Sequence, residues 1–270
     1  MPELPELEAH AERISATFAG RVLDRFVPLN FTALKTAQPA PSDAYGRPLL
    51  DVGRRGKYLL LRLEPVTFAV HLMQGGRLVV DEKQSAKPRG GQARWYFTDG
   101  SALLLTEQGT ERRAGVWCLP TATALESAPL AGLGPEALTL DVPALQALFE
   151  AHPMRLHGFL RDQHVIAGLG RRLANEVCHR ARLSPFANTG KLGAEGAAAV
   201  VRSIREAYDD GMAFERKQVD MTASADRPSL MHHRTGLPCA ACGDTVRAVE
   251  YSGYTVNYCP TCQTGGKVLA

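Results

Sequence analysis

No stretch of this 270-residue chain is apolar for long enough to cross a bilayer; its longest apolar runs, such as ALLL at 102–105, fall far short of the ~20 residues a spanning helix needs. A basic, apolar leader is missing too, because the first residues, MPELPELEAH, are acidic where a signal peptide is basic. These absences point to a cytoplasmic chain that begins near Met1. An excess of either charge is lacking: 31 Lys and Arg against 28 Asp and Glu leave a net charge of +3, which does not by itself announce a nucleic-acid partner. Internal repeats are also absent, beyond two CxxC knuckles. Apolar content of 45% with 22% charged residues excludes bulk disorder, and the length suffices for two domains with separate cores.

Only six cysteines occur, in two kinds. Cys118 and Cys178 stand alone in apolar surroundings and read as small buried thiols. Cys239, Cys242, Cys259 and Cys262 form C-x2-C-x16-C-x2-C. Without an export signal, this spacing indicates a metal site rather than disulfides. Four thiolates close one structural Zn2+ site and leave no open position for a substrate. Tyr251, Tyr254, Val256 and Tyr258 alternate ahead of the second knuckle as a short hairpin would.

Local patterning orders the rest. Leu4, Leu7, Ala11, Ile14 and Phe18 form one apolar stripe, predicting a helix over roughly 3–18 with Pro5 in its first turn. Between 21 and about 120, short segments (RVLDRFVPL, PLLDVG, KYLLLRL, TFAVHL, GRLVVD, ARWYF, ALLLT, GVWCL) alternate with turn signals, predicting an antiparallel sandwich or barrel-like sheet. PRGGQ at 88–92 reads as a mobile loop. The Gly/Pro-rich stretch at 125–140 reads as a linker. Helices are expected from Asp141, its cap, to about 150, and over Arg155–Asp162, Gly170–Ala181 and Gly193–Tyr208, with a polar loop at 218–229.

Four places carry chemistry. If Met1 is removed, Pro2 presents a free amine with a pKa near 8, far more often neutral at pH 7.5 than a lysine, and able to form a Schiff base. Glu3 and Glu6 would exchange protons beside it. The same residues also suit a proline that starts a helix and acids that cap it. In GRRGKYLLL (53–61), Lys57 at the strand entry is either a snorkelling surface lysine or a cation for a phosphate or reacting sugar. In FLRDQHVIAGLGRRLANEV (159–177), a glycine turn opens a helix whose amides, with Arg171 and Arg172, suit an anion; an ordinary helix–turn–helix packing unit fits equally. From Arg155 to Arg182, six arginines stand against Asp162 and Glu176, which suits a phosphate backbone or a solvated helix face.

Together MPELPELE, GRRGKYLLL, LRDQHVIAGLGRRLANEV and the finger ending YCPTCQ resemble, in order and over essentially the whole chain, the formamidopyrimidine-DNA glycosylase/endonuclease VIII family of base-excision repair enzymes. The resemblance implies an α+β chain: a β-sandwich preceded by a helix (1–124), a helix–two-turn–helix domain (125–235) and a zinc-ribbon finger (236–270), with DNA between the halves. It implies a bifunctional glycosylase/lyase with Pro2 as nucleophile, Glu3 as proton donor, Glu6 and Lys57 assisting, and damaged DNA, duplex or single-stranded, bound by a monomer near the nucleoid. Gly170, Arg171, Arg172, His71, Met73, Gln74, Tyr254 and Arg247 are the implied DNA contacts.

The chain departs from the family where DNA is gripped. Arg171 follows the turn glycine in place of a phosphate-binding asparagine. Tyr254 replaces the finger arginine, leaving Arg247 or another cation to substitute. Gln74, with Met73 beside it, fills the intercalating slot, 106–117 lacks the usual arginine–phenylalanine wedge, and His157 stands where many members have lysine. The expectation is retained chemistry with altered lesion choice; a non-catalytic lesion-binding member is the alternative.

Overall fold

The computed structural model describes residues 1–222, 226–251 and 253–269, so part of the expected 218–229 loop, at 223–225, lies outside the described residues. Two compact units emerge. The first is Met1–Gly132 together with the segment that starts at Gln218; the second is Leu133–Lys217 with the C-terminal stretch from Asp226.

The first unit opens with helix α1 (Leu4–Phe18), on which the whole predicted stripe, Leu4, Leu7, Ala11, Ile14 and Phe18, is buried. Strands β1 (Leu23–Pro28), β2 (Asp51–Arg55), β3 (Tyr58–Arg62), β4 (Val66–His71), β5 (Gly76–Val80), β6 (Gly91–Phe97), β7 (Ala102–Glu107) and β8 (Gly115–Pro120) follow. They form two four-stranded antiparallel sheets, β1-β6-β7-β5 and β2-β3-β4-β8. Both inner faces and α1 feed one core, which includes Phe26, Phe68 and Trp95 with rings 5.0–5.8 Å apart. PRGGQ is less free than its composition predicts. β6 begins at Gly91, and the buried Gln92 amide donates to the Gly90 carbonyl at 3.0 Å while its oxygen accepts from Asn30. An interior strand, paired with β1 on one side and β7 on the other, captures a segment whose glycines alone suggest a loop.

In the second unit, helices α2 (Val142–Ala151), α3 (Leu156–Arg161), α4 (Arg171–Arg180) and α5 (Gly193–Glu215) precede hairpin β9 (Arg247–Tyr251)–β10 (Tyr254–Tyr258) and the short α6 (Pro260–Thr264). Asp141 caps α2 by accepting from the Ala144 amide at 2.9 Å. α5 runs seven residues beyond its expected end at Tyr208, because Gly211, Met212 and Glu215 continue its buried face. α4 is central and packs on α3, α5, β10 and α6. The 125–140 stretch holds two short 3-10 turns, ending at Glu126 and Thr139. Among the described residues no helix is long and apolar enough to cross a membrane.

Candidate active site and nucleic-acid interface

The start of α1 is a buried polar cluster. Pro2 is buried, Glu3 is 4% exposed and Glu6 1%. The two acids form a reciprocal capping box: the Glu3 side chain accepts from the Glu6 amide, and the Glu3 amide donates to Glu6 Oε2 at 3.1 Å. Such a box satisfies two orphan amides and fixes where the chain ahead of the helix emerges. Both readings of MPELPE therefore share one geometry, because the acids that cap the helix are the acids beside Pro2. Burial holds the Met1 terminal amine, one residue ahead of Pro2, below its ordinary pKa; Glu3 and Glu6 oppose the shift, while Lys57 and Arg77 add to it.

Lys57 reaches this cluster through a hairpin turn. Gly56 and Lys57 are the two residues between the paired Arg55 and Tyr58, with Gly56 at φ +55° as a glycine-first turn requires. The turn is anchored by Arg54, whose Nε donates to Glu8 of α1 at 2.8 Å and whose Nη1 donates to the Gly56 carbonyl at 2.9 Å. That role is invisible in the motif, where Arg54 reads as one more loop cation. Lys57 is 8% exposed, which is not a snorkelling surface lysine. His71, across the sheet, packs edge-on against Tyr58 at 4.7 Å and accepts from the Met73 amide through Nδ1 at 3.1 Å. Burial, then Lys57, pushes its pKa down to about 4, so it is a neutral ring at pH 7. Met73 itself is half-buried at φ +51°, and Gln74 is the exposed tip.

In the second unit the glycine turn is braced by Gln163. Its Nε2 donates to the carbonyls of Arg161 and Leu169, both at 2.8 Å, and its Oε1 accepts from Gly168, which sits at φ +104°. Gly170 caps α4 in extended conformation, with no acid in the first turn. The two arginines that follow diverge. Arg171 is exposed, whereas Arg172 is 2% exposed and donates to the carbonyls of Arg227 and of Pro228, the latter at 2.9 Å. Arg172 thus ties the chain ahead of the finger to α4 and is spent on backbone. Glu176 completes the tie: its carboxylate accepts from the amides of Leu230, Met231 and His232 at 3.0, 2.9 and 3.0 Å.

The four finger cysteines converge, with ligand atoms within 4.8 Å of one another. Sγ pairs 239–262 and 242–259 are 3.9 and 3.4 Å apart. A tetrahedral ion bonded to sulfur at about 2.3 Å sets its sulfurs about 3.8 Å apart, so the set fits one metal. His179 Nε2 lies 3.2 Å from Cys239 Sγ, an outer partner for that thiolate. Cys118 and Cys178 are buried, and burial raises both thiols, Cys118 to about 12.

Tyr254 lies within an aromatic–cation group. It stacks on His157 at 5.6 Å and 19°, with the Arg161 guanidinium 3.7 Å and that of Arg171 5.4 Å from its ring centre. Arg247 pairs with Tyr258 at the other end of the hairpin, so the cations beside Tyr254 are Arg161 and Arg171. His157 is 2% exposed, and burial, then Arg161, pushes its pKa down to about 3; it cannot supply the charge of a lysine.

Residues 1–117 match the formamidopyrimidine-DNA glycosylase N-terminal domain. The formamidopyrimidine-DNA glycosylase of Heliobacterium modesticaldum is 32% identical over 97% of this chain and 100% of its own. This chain belongs to the formamidopyrimidine-DNA glycosylase/endonuclease VIII family. An uncharacterized formamidopyrimidine-DNA glycosylase-like protein of Mycobacterium tuberculosis is 40% identical over 140 residues, 51% of this chain and 89% of that one. Among solved structures, the MutM (Fpg) protein of Thermus thermophilus is 28% identical with a TM-score of 0.82, covering 97% of this chain and 98% of that one. The Lactococcus lactis enzyme, solved non-covalently bound to DNA with an abasic site, shares the fold at a TM-score of 0.86, 19% identity, and 97% and 99% coverage. The family's fold, a sandwich with a leading helix and a four-cysteine finger, is thus the fold of this chain.

Proposed function

We propose that this chain is a bifunctional DNA glycosylase and abasic-site lyase whose nucleophile is the Pro2 amine, freed by removal of Met1. The observation that carries it is the buried cluster of Pro2, Glu3, Glu6 and Lys57 at the head of α1, where burial lowers the pKa of the Met1 terminal amine that precedes Pro2. The family resemblance and its DNA-bound relatives support DNA as the substrate.

A lesion base leaves the stack most cheaply because it is already poorly paired. The neutral Pro2 nitrogen then attacks C1′ of its deoxyribose. The glycosidic electron pair leaves with the base, which takes a proton from the Glu3 carboxyl. The proton on the alkylated Pro2 nitrogen passes to the Glu3 carboxylate and on to O4′ as the C1′–O4′ bond breaks, and an iminium joins Pro2 to C1′. That cation acidifies C2′–H; transfer of this proton to the Glu3 carboxylate expels the 3′ phosphate, a second elimination expels the 5′ phosphate, and water adds at C1′ to release the sugar fragment as an aldehyde and free the Pro2 amine. Glu6, bonded to the Glu3 amide, holds Glu3 in place, and the Lys57 charge faces phosphate or sugar oxygen. The metal of the finger is Zn2+, held by Cys239, Cys242, Cys259 and Cys262 and structural, because the four thiolates leave no open position. One chain carries both amine and finger, so a monomer suffices.

Borohydride reduction in the presence of an abasic oligonucleotide is the test. A covalent adduct mapping to an N-terminal peptide that begins at Pro2, and diminished in Pro2→Gly, is expected. No adduct refutes the lyase and favours a lesion-binding member; an adduct on a lysine refutes Pro2. Lesion choice is placed away from 8-oxoguanine opposite cytosine and toward single-stranded, bulky or cross-linked lesions. A neutral His157 and Tyr254 in place of cations support this. Fastest cleavage of duplex 8-oxoguanine opposite cytosine would overturn that choice.

A further inference from the structure

Beyond Tyr254, the finger hairpin and the start of α3 enclose a pocket of about 360 Å³. This is within the size range of small-ligand pockets. Its walls are aromatic: Phe186 and Tyr251 meet edge to face at 5.9 Å and 81°, and Tyr251 meets Tyr254 in the same way at 5.9 Å and 84°. Arg155 stands between two of these rings, its guanidinium carbon 4.5 Å from the Tyr251 centre and 5.3 Å from that of Phe186. Gly158 and Pro185 add small apolar surface, and among the described residues no carboxylate lines the space. Tyr251 is 36% exposed, so an aromatic ring is held open to solvent beside a cation.

We infer that this pocket is a binding site for an unpaired nucleobase of a DNA strand, with Tyr251 and Phe186 supplying the stacking surface and Arg155 the flanking phosphate contact. The chemistry selects this occupant. Flat π-faces of any base stack on aromatic rings without sequence preference, and guanidinium groups track the backbone. A nucleotide unites the two chemistries the lining offers, a flat π-face for the rings and a phosphate for Arg155. Around the pocket, Arg161 and Arg171, both against Tyr254, extend the positive charge along the path a strand would follow. The inference rests on DNA being the ligand of this chain. It adds a second base-binding place, distinct in residues from the α1 cluster, and a means by which strands with unpaired bases would be preferred.

Two probes of equal length test it: a short oligothymidylate carrying one 2-aminopurine, and a strand of tetrahydrofuran residues with no bases. The full-length protein is expected to quench 2-aminopurine on binding and to prefer the base-bearing strand. Tyr251→Ala should weaken that strand about 5- to 100-fold while leaving the base-free strand nearly unchanged. Tyr251→Phe should restore it, and Arg155→Ala should weaken both strands. Equal losses on both strands in Tyr251→Ala, or none, would overturn the proposal. Borohydride trapping of Tyr251→Ala on an abasic duplex separates the two readings. An adduct with altered quenching supports both; quenching without any adduct in the unsubstituted protein refutes only the amine mechanism; an adduct with unaltered quenching refutes only the pocket.

Discussion

Replacing Glu176 with alanine should unfasten the finger from α4. The Glu176 carboxylate is 6% exposed and accepts from three consecutive amides at 2.9–3.0 Å. A hydrogen bond to a charged group contributes roughly 1.5–3 kcal/mol, and three that share one carboxylate do not add fully. The expected loss is about 4 kcal/mol, a large share of the roughly 5–15 kcal/mol that holds a typical domain together. Glu176→Gln preserves shape but turns one acceptor into a donor facing an amide, so its loss should be intermediate. Urea unfolding followed by intrinsic fluorescence, with the rate of metal release to a chelator measured in parallel, reads both consequences. The unsubstituted protein should hold its metal longest, then the glutamine variant, then alanine. A stability change below about 1 kcal/mol in Glu176→Ala, with unchanged metal release, would refute the reasoning, because three unsatisfied amides cannot cost so little.

Other outcomes follow from the same geometry. Arg171→Ala should lower the salt dependence of DNA binding by about one phosphate's worth, whereas Arg172→Ala should lower the unfolding midpoint and leave the salt slope alone; the reverse pattern would contradict the burial of Arg172. Cys259→Ser should cost the bound metal and melt the hairpin, since the finger core is little more than Met231, Val246 and the cysteines; metal analysis should give about one zinc per unsubstituted chain and none in the variant. His10 donates from Nε2 to the Leu78 carbonyl at 2.7 Å, and burial pushes its pKa down to about 4. A depressed folded pKa means that its stabilising contribution is fully present above the unfolded value near 6.5 and is lost as pH falls toward 4, on the order of 3 kcal/mol. His10→Gln should flatten the fall in stability between pH 6.5 and 4, which denaturant titrations at several pH values would detect.

Much of the architecture is written in short-range pattern. The α1 stripe, the eight strand segments and the CxxC spacing each express a local periodicity, and local periodicity survives without knowledge of the partner. The capping acids are legible for the same reason, since Glu3 and Glu6 are three residues apart and meet within one helical turn. MPELPE, the glycine turn and the four cysteines are therefore legible from sequence alone as a capped helix start, a turn that opens a helix and a thiol set spaced to hold a metal.

The assignment of individual cations is not legible in this way. Arg171 and Arg172 are adjacent and chemically identical, yet one meets solvent and the other is consumed by carbonyls 55 and 56 residues away. Arg54 looks like a loop cation and is instead the strut between Glu8 and the Lys57 turn. His157 holds a position where a charge is expected, but desolvation under Tyr254 keeps it neutral. Nor does the sequence indicate that Arg155, Phe186 and Tyr251 share one pocket. Residue type and spacing determined which reactive groups this chain carries. Tertiary packing alone decided which of its charges remain free to act, because desolvation and long-range partners belong to the folded chain and not to any segment of it.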